Sequence, residues 1–181
     1  ASLSAAEAGS LDASHINNAD LTAAGADVNL FWPCYGATVD AIQVVFSGFL
    51  CDSTHKITVF VPEGGTESIN NWRHQGIWSD SYFRIAPGEY ASDTININEA
   101  SQNCLYIDFV GLQILHEKTS KNLLNVQECG DGVITFKSCL CYHTASYFNL
   151  RTSDGTLNVI NSIIKGGTHG VASTGGAINI Y

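Results

Sequence analysis

The residues best suited to recognition stand close together. Trp72, Arg73, His74, Trp78 and Tyr82 all fall within "INNWRHQGIWSDSYFRI", residues 69 to 85. Aromatic faces and a guanidinium dominate recognition surfaces, because each offers a large contact area with a polar handle. These five form a candidate recognition surface for a glycan or a protein. The competing use is internal, with Trp78 and Phe83 plugging the end of a widening coil.

Catalysis asks for more than the acids supply. Glycoside hydrolysis needs two carboxylates roughly 5 to 10 Å apart on one face. Of the acids in the C-terminal half, Asp108 sits in an apolar-periodic stretch, while Glu117, Glu128, Asp131 and Asp154 fall near corners or loops. One acid is not a pair, and Arg151 beside Asp154 has no second acid close in sequence. The six histidines, at 15, 55, 74, 116, 143 and 169, show neither HxH nor HExxH spacing. His143 reads as a loop histidine beside two thiols. "GGTHG" precedes no helix and has no claim to cradle phosphate. We assign no catalytic residue, no metal ligand and no cofactor.

The cysteines, at 34, 51, 104, 129, 139 and 141, are even in number, as a disulfide framework would be. Cys139 and Cys141, however, form a CxC. That is not the CxxC of redox or zinc sites, and no second Cys/His pair at ligand spacing accompanies it. In a strand the two face the same way. The expectation is six reduced thiols packed in the core.

Net charge is −9 over 181 residues, with eight Lys and Arg, which disfavours nucleic acid as a partner. No apolar run approaches the roughly 20 residues that span a bilayer. The start, "ASLSAAEAGS", lacks the charged and apolar regions of a signal peptide. Charged residues are only 14%, and the chain leans towards Gly, Asn, Ser and Thr, which points away from exposed helices.

The positioning elements follow from the pattern. "LSAAEAGSL" is the one plausible helix, since Ser4 and Glu7 have capping-box spacing. Val-, Ile- and aromatic-rich runs then follow one another, separated by Gly, Asn, Asp, Ser and Pro clusters, so the rest is β. In the C-terminal half the runs align. Ile107, Ile134, Leu157 and Ile178 share one column; Phe109, Phe136, Val159 and Ile180 share the column two residues on. Between them fall the polar Asp108, Thr135, Asn158 and Asn179. In-register recurrence of this kind marks a solenoid whose coils bury their faces against their neighbours. Gly111, Ser138 and Asn161, in the next column, suit a corner between two sheets.

On these residues the chain resembles right-handed parallel β-helix proteins. "GTLNVINSIIKGG" with "GGAINIY" looks like their coils. "HKITVFVPEGG" running on to "YIDFVGLQI" is similar to the early coils of β-helix proteins from bacteriophage and metagenomic sequences. The expected organisation is an N-terminal cap at 1–27, irregular first coils at 28–104 and regular coils at 105–181. "GAINIY" begins a coil that the sequence does not finish, leaving Leu157, Val159 and Ile163 under an incomplete lid. Ile178, Ile180 and Tyr181 are thus a candidate assembly edge, to be covered by further coils or a partner subunit. The resemblance implies a non-enzymatic structural or surface protein of a phage-like particle, such as a capsid decoration, fibre or tail component. Its place would be the virion or extracellular particle surface, and its partners other protein subunits. The alternatives are a carbohydrate-active β-helix, either a depolymerase or a glycan-binding module, and a secreted adhesin with oxidised cysteines.

Overall fold

A computed structural model describes residues 3, 6, 18–65, 70–88, 92–98, 105–127, 129–145 and 147–181. The capping box of Ser4 and Glu7, Cys104 and Glu128 lie outside these residues. The described chain is nearly all β.

The described residues form sixteen strands, the first fifteen of them in triplets that each make one coil. Coil 1 holds β1 (Leu30–Pro33), β2 (Val39–Asp40) and β3 (Val44–Phe46); coil 2 holds β4 (Ile57–Phe60), β5 (Arg84–Ile85) and β6 (Ile95–Asn98). Coil 3 holds β7 (Tyr106–Val110), β8 (Gln113–His116) and β9 (Leu124–Gln127). Coil 4 holds β10 (Val133–Lys137), β11 (Leu140–His143) and β12 (Phe148–Thr152). Coil 5 holds β13 (Thr156–Ile160), β14 (Ile163–Gly166) and β15 (His169–Ser173), and β16 (Ala177–Ile180) follows it. Every third strand pairs in parallel. The result is three sheets, β1-β4-β7-β10-β13-β16, β14-β11-β8-β5-β2 and β15-β12-β9-β6-β3. This is the stacking of a β-solenoid.

The first sheet carries the columns read from the sequence. Ile107, Ile134, Leu157 and Ile178 are register partners in turn, and so are Phe109, Phe136, Val159 and Ile180. The columns also run the other way, through Ile57 and Val59 to Leu30 and Trp32. Between them Phe31, Thr58, Asp108, Thr135, Asn158 and Asn179 point outward. Inside, aromatic rings touch along the bore: Trp32 on Phe46 at 5.7 Å, Phe46 on Phe109 at 5.5 Å, and Phe109 on Phe136 at 4.9 Å. Outside, the amide of Asn179 donates to Asn158 Oδ1 at 2.9 Å, continuing the register in side chains.

Corners between the first and second sheets are made by Gly111, Ser138 and Asn161, with φ of 70°, 53° and 46°. Each is left-handed, a region open to Gly, tolerated by Asn and costly for Ser. This left-handed residue also shifts the inward parity of the strand that follows. The inward positions are Ile107 and Phe109 before the corner but Leu112 and Ile114 after it, then Cys139 and Cys141 one coil on. The expectation for Ile163 fails for this reason. It pairs with Leu140 on the outer side and is 45% exposed, while Ile164 takes the inward position beneath Cys141. Leu157 and Val159, expected under an incomplete lid, are buried beneath β16.

The register yields a direct test. Phe136→Ala should lower unfolding free energy by about 3 to 5 kcal/mol, as large-to-small core changes do, whereas Thr135→Ala should be near neutral. Equal urea midpoints for the two variants would contradict the inward and outward assignment.

Candidate functional site

Coil 2 is the longest because a segment of 23 residues, 61–83, separates β4 from β5. Of this segment, 61–65 and 70–83 are described, and they carry the candidate recognition residues. The segment lies along the outside of the corner and the second sheet, against coils 3 to 5. Gln113, fully buried, fixes it there. Its side chain accepts the Ser79 N–H at 2.8 Å and donates to the carbonyl of Ser79 at 2.9 Å and of Phe83 at 3.4 Å.

The candidate residues divide between fold and surface. Phe83 is in the core and Trp72 packs against it. Trp78 plugs no coil end; it stacks on Tyr142 of β11 at 5.2 Å, and Lys165 lies 5.6 Å from the same ring. Tyr82 is half-buried. Arg73 runs across Gly111, where a Cβ would come within 2.5 Å of its Nε. That nitrogen donates to the Val61 carbonyl at 3.1 Å, and the guanidinium pairs with Glu63 at 3.0 Å. His74 is buried. Its Nδ1 accepts the Gly76 N–H at 3.1 Å, and burial pushes its pKa below the usual imidazole range.

Between this segment and the corner lies a groove of about 390 Å³. Glu63, Arg73 and Gln75 form one wall; Ser138, Asn161 and Ile163 form the other. It offers a carboxylate, a guanidinium and amides around an exposed apolar side chain, a set suited to a small polar ligand. Nothing in the sequence placed Asn161 and Ile163 opposite Arg73, because some 90 residues of chain separate the walls.

Two of the acids in the C-terminal half are engaged. Asp108 forms an ion pair with Lys56, and Asp154 accepts the Gly130 N–H at 2.9 Å and the Gly155 N–H at 2.8 Å. In its column Asp108 is the only acid. A second cluster joins His55 to two aspartates, Nε2 to Asp27 at 2.8 Å and Nδ1 to Asp52 at 3.0 Å. Hydrogen bonds donated to the carboxylates of Asp52, then Asp27, raise the His55 pKa. Thr54 Oγ1 also lies 3.0 Å from Nδ1. With both ring nitrogens held by carboxylates, neither is left to deprotonate the threonine hydroxyl, so the cluster ties turns together and is no nucleophilic triad.

Cys34, Cys139 and Cys141 are buried free thiols, and Cys51 and Cys129 are buried as well. Burial pushes the pKa of Cys139 up to about 12, and burial with Asp40 nearby does the same for Cys34. Cys141 is also raised well above the ordinary value. Such thiols are poor nucleophiles at neutral pH. His143, read as a loop residue, is instead the buried last residue of β11 and meets His116 of β8 edge to face, 4.8 Å away. The 27-residue offset that aligns Ile107 with Ile134 also aligns this pair; the signal was present past the corner.

Among the described residues no group of three His, Cys, Asp or Glu is arranged to hold a metal, and no helix is long and apolar enough to cross a membrane. No protein family, curated protein or solved structure matches this chain.

Two outcomes are expected. Gly111→Ala should cost about 1 to 3 kcal/mol, since it strains a left-handed residue and displaces Arg73, while Ser138→Gly should hold or raise stability by up to about 1 kcal/mol; chemical denaturation reads both. Reductant should leave the melting temperature unchanged. A clear fall on adding dithiothreitol would show that disulfides form.

Proposed function

We infer that this chain is a non-enzymatic β-helix protein of a phage-like particle surface, a decoration, fibre or tail component. The observation that carries the reading is the outward column of the first sheet. Over six strands it presents Phe31, Thr58, Asp108, Thr135, Asn158 and Asn179, with the one acid neutralised by Lys56. Stacked strands about 4.8 Å apart would bring column neighbours within the reach that two-carboxylate hydrolysis needs. The column places no second carboxylate there. A right-handed winding of the coils is part of this reading, as parallel crossovers take that hand in nearly all cases.

Assembly is the activity assigned to it. β16 pairs with β13 on one side, and Ile180 and Tyr181 beside its other edge are 67% and 76% exposed. A strand edge of this kind is covered by a further coil or pairs with another chain. The aromatic residues of 72–82 support a glycan-binding alternative less well, since Trp72 and Trp78 spend their faces on the core and on Tyr142.

Immunogold labelling of particles from the source sample, with a polysaccharide-degradation panel run on the purified chain, tests the reading. Labelling at a repeated position with no release of sugar ends is expected. Depolymerisation of any polysaccharide would replace it with the carbohydrate-active alternative.

A further inference from the structure

The corner between the second and third sheets holds chemistry that assembly does not use. His116 and His143 end β8 and β11 in register, 1% and 2% exposed, their rings inclined at 63°. Each imidazole is tied to a different part of the solenoid. His116 Nδ1 lies 2.8 Å from the hydroxyl of Thr94, the residue before β6. His143 Nε2 lies 2.9 Å from the Lys121 carbonyl in the turn before β9, and its Nδ1 accepts the Ala145 N–H at 3.1 Å. Thr144 N–H donates to the His116 carbonyl at 3.0 Å. The pair thus links coils 2, 3 and 4 at one corner.

An Nδ1 that accepts an N–H must be unprotonated, so the hydrogen bonds place the His143 proton on Nε2 and leave the ring neutral. A second proton on His143 would have to displace the Ala145 N–H. A proton on His116 would add a buried charge beside the second imidazole, a cost that the Lys118 carbonyl offsets only in part.

We propose that the His116–His143 pair is an acid-released latch, which holds this corner while both rings are neutral and opens it on proton uptake, leaving the first sheet folded.

Burial, and then the neighbouring His143, hold the His116 pKa down at about 4, against about 6.5 in an open chain. Asp93 and the Lys118 carbonyl oppose the shift. The Asp93 carboxylate is itself engaged, accepting from the Asn122 backbone and side chain at 2.6 and 3.0 Å and from Asn125 at 2.9 Å. The charged side chains of Glu117 and Lys121 are exposed. A depressed imidazole pKa means that the open corner binds the proton first. Latch stability is complete above about pH 6.5 and is lost progressively as pH falls towards about 4. The strands of the first sheet contain no histidine, so their ladder is insensitive to this titration.

Native-state amide hydrogen exchange of the whole chain at pH 7 and pH 5, corrected for intrinsic rates, tests the latch. Protection at Leu123, Thr144 and Ala145 should fall roughly twentyfold at pH 5, from the gap between the open and closed pKa values. Protection at Val133, Ser138 and Thr156, in and beside the first sheet, should hold. His116→Leu should abolish the pH dependence, and His116→Gln serves the same purpose should the leucine variant fail to fold. His169→Gln, on an exposed ring, should retain it. Unchanged corner protection at pH 5, an equal fall at the first-sheet amides, or a fall that persists in the His116 variants would overturn the proposal.

Discussion

The structure depends on one constraint: a coil of this solenoid cannot bury its own inward side chains. Each parallel strand covers one neighbour and is covered by the next, so residue types must match down a column at the spacing of one strand, about 4.8 Å. Ile107 over Ile134 over Leu157 meets that condition, and Phe109 against Phe136 adds ring contact to it. The polar outer column obeys the same register, ending in the amide pair of Asn158 and Asn179. Register is fixed from both sides of the sheet. A slip by one residue would bring Asn and Thr into the bore and send Ile and Phe to solvent.

That constraint explains what could be read in advance. The columns of coils 3 to 5 were legible because their period-2 alternation repeats without interruption. The left-handed corners were legible as small or turn-forming residues for the same reason. Leu30 and Ile57 belong to the same column but were hidden, since residues 61–83 push the Ile57 to Ile107 separation to 50 positions. Ile163 was misplaced by carrying strand alternation through Asn161. A left-handed residue inserts a turn that the alternation does not count, and the inward role passes to Ile164. The groove and the Trp78–Tyr142 stack depend on the path of an excursion, and no local pattern in the sequence encodes that path.

The excursion shows how the fold spends residues that look functional. Arg73 needs Gly111, because only a residue without a Cβ lets the guanidinium stem cross the corner. Gln113 is buried at a position where an outer-face residue is normally wet, and its amide holds the backbone of Ser79 and Phe83 in place of water. Once covered in this way, the outer faces of coils 3 and 4 become a second, smaller interior. The aromatic residues of 72–82 are its contents as much as its surface.

Polar groups inside a solenoid bear on specificity as well as cost. An apolar column accepts any similar hydrophobe in the next coil, but a buried imidazole is satisfied only by particular partners at fixed positions. Thr94, Lys121 and Ala145 are such partners, one set for each of coils 2, 3 and 4. They fix which coil lies against which at a corner whose connecting turns differ in length from coil to coil. The chemistry that gives this selectivity also makes the corner dependent on the protonation of two rings, a sensitivity that the apolar columns of the first sheet do not share.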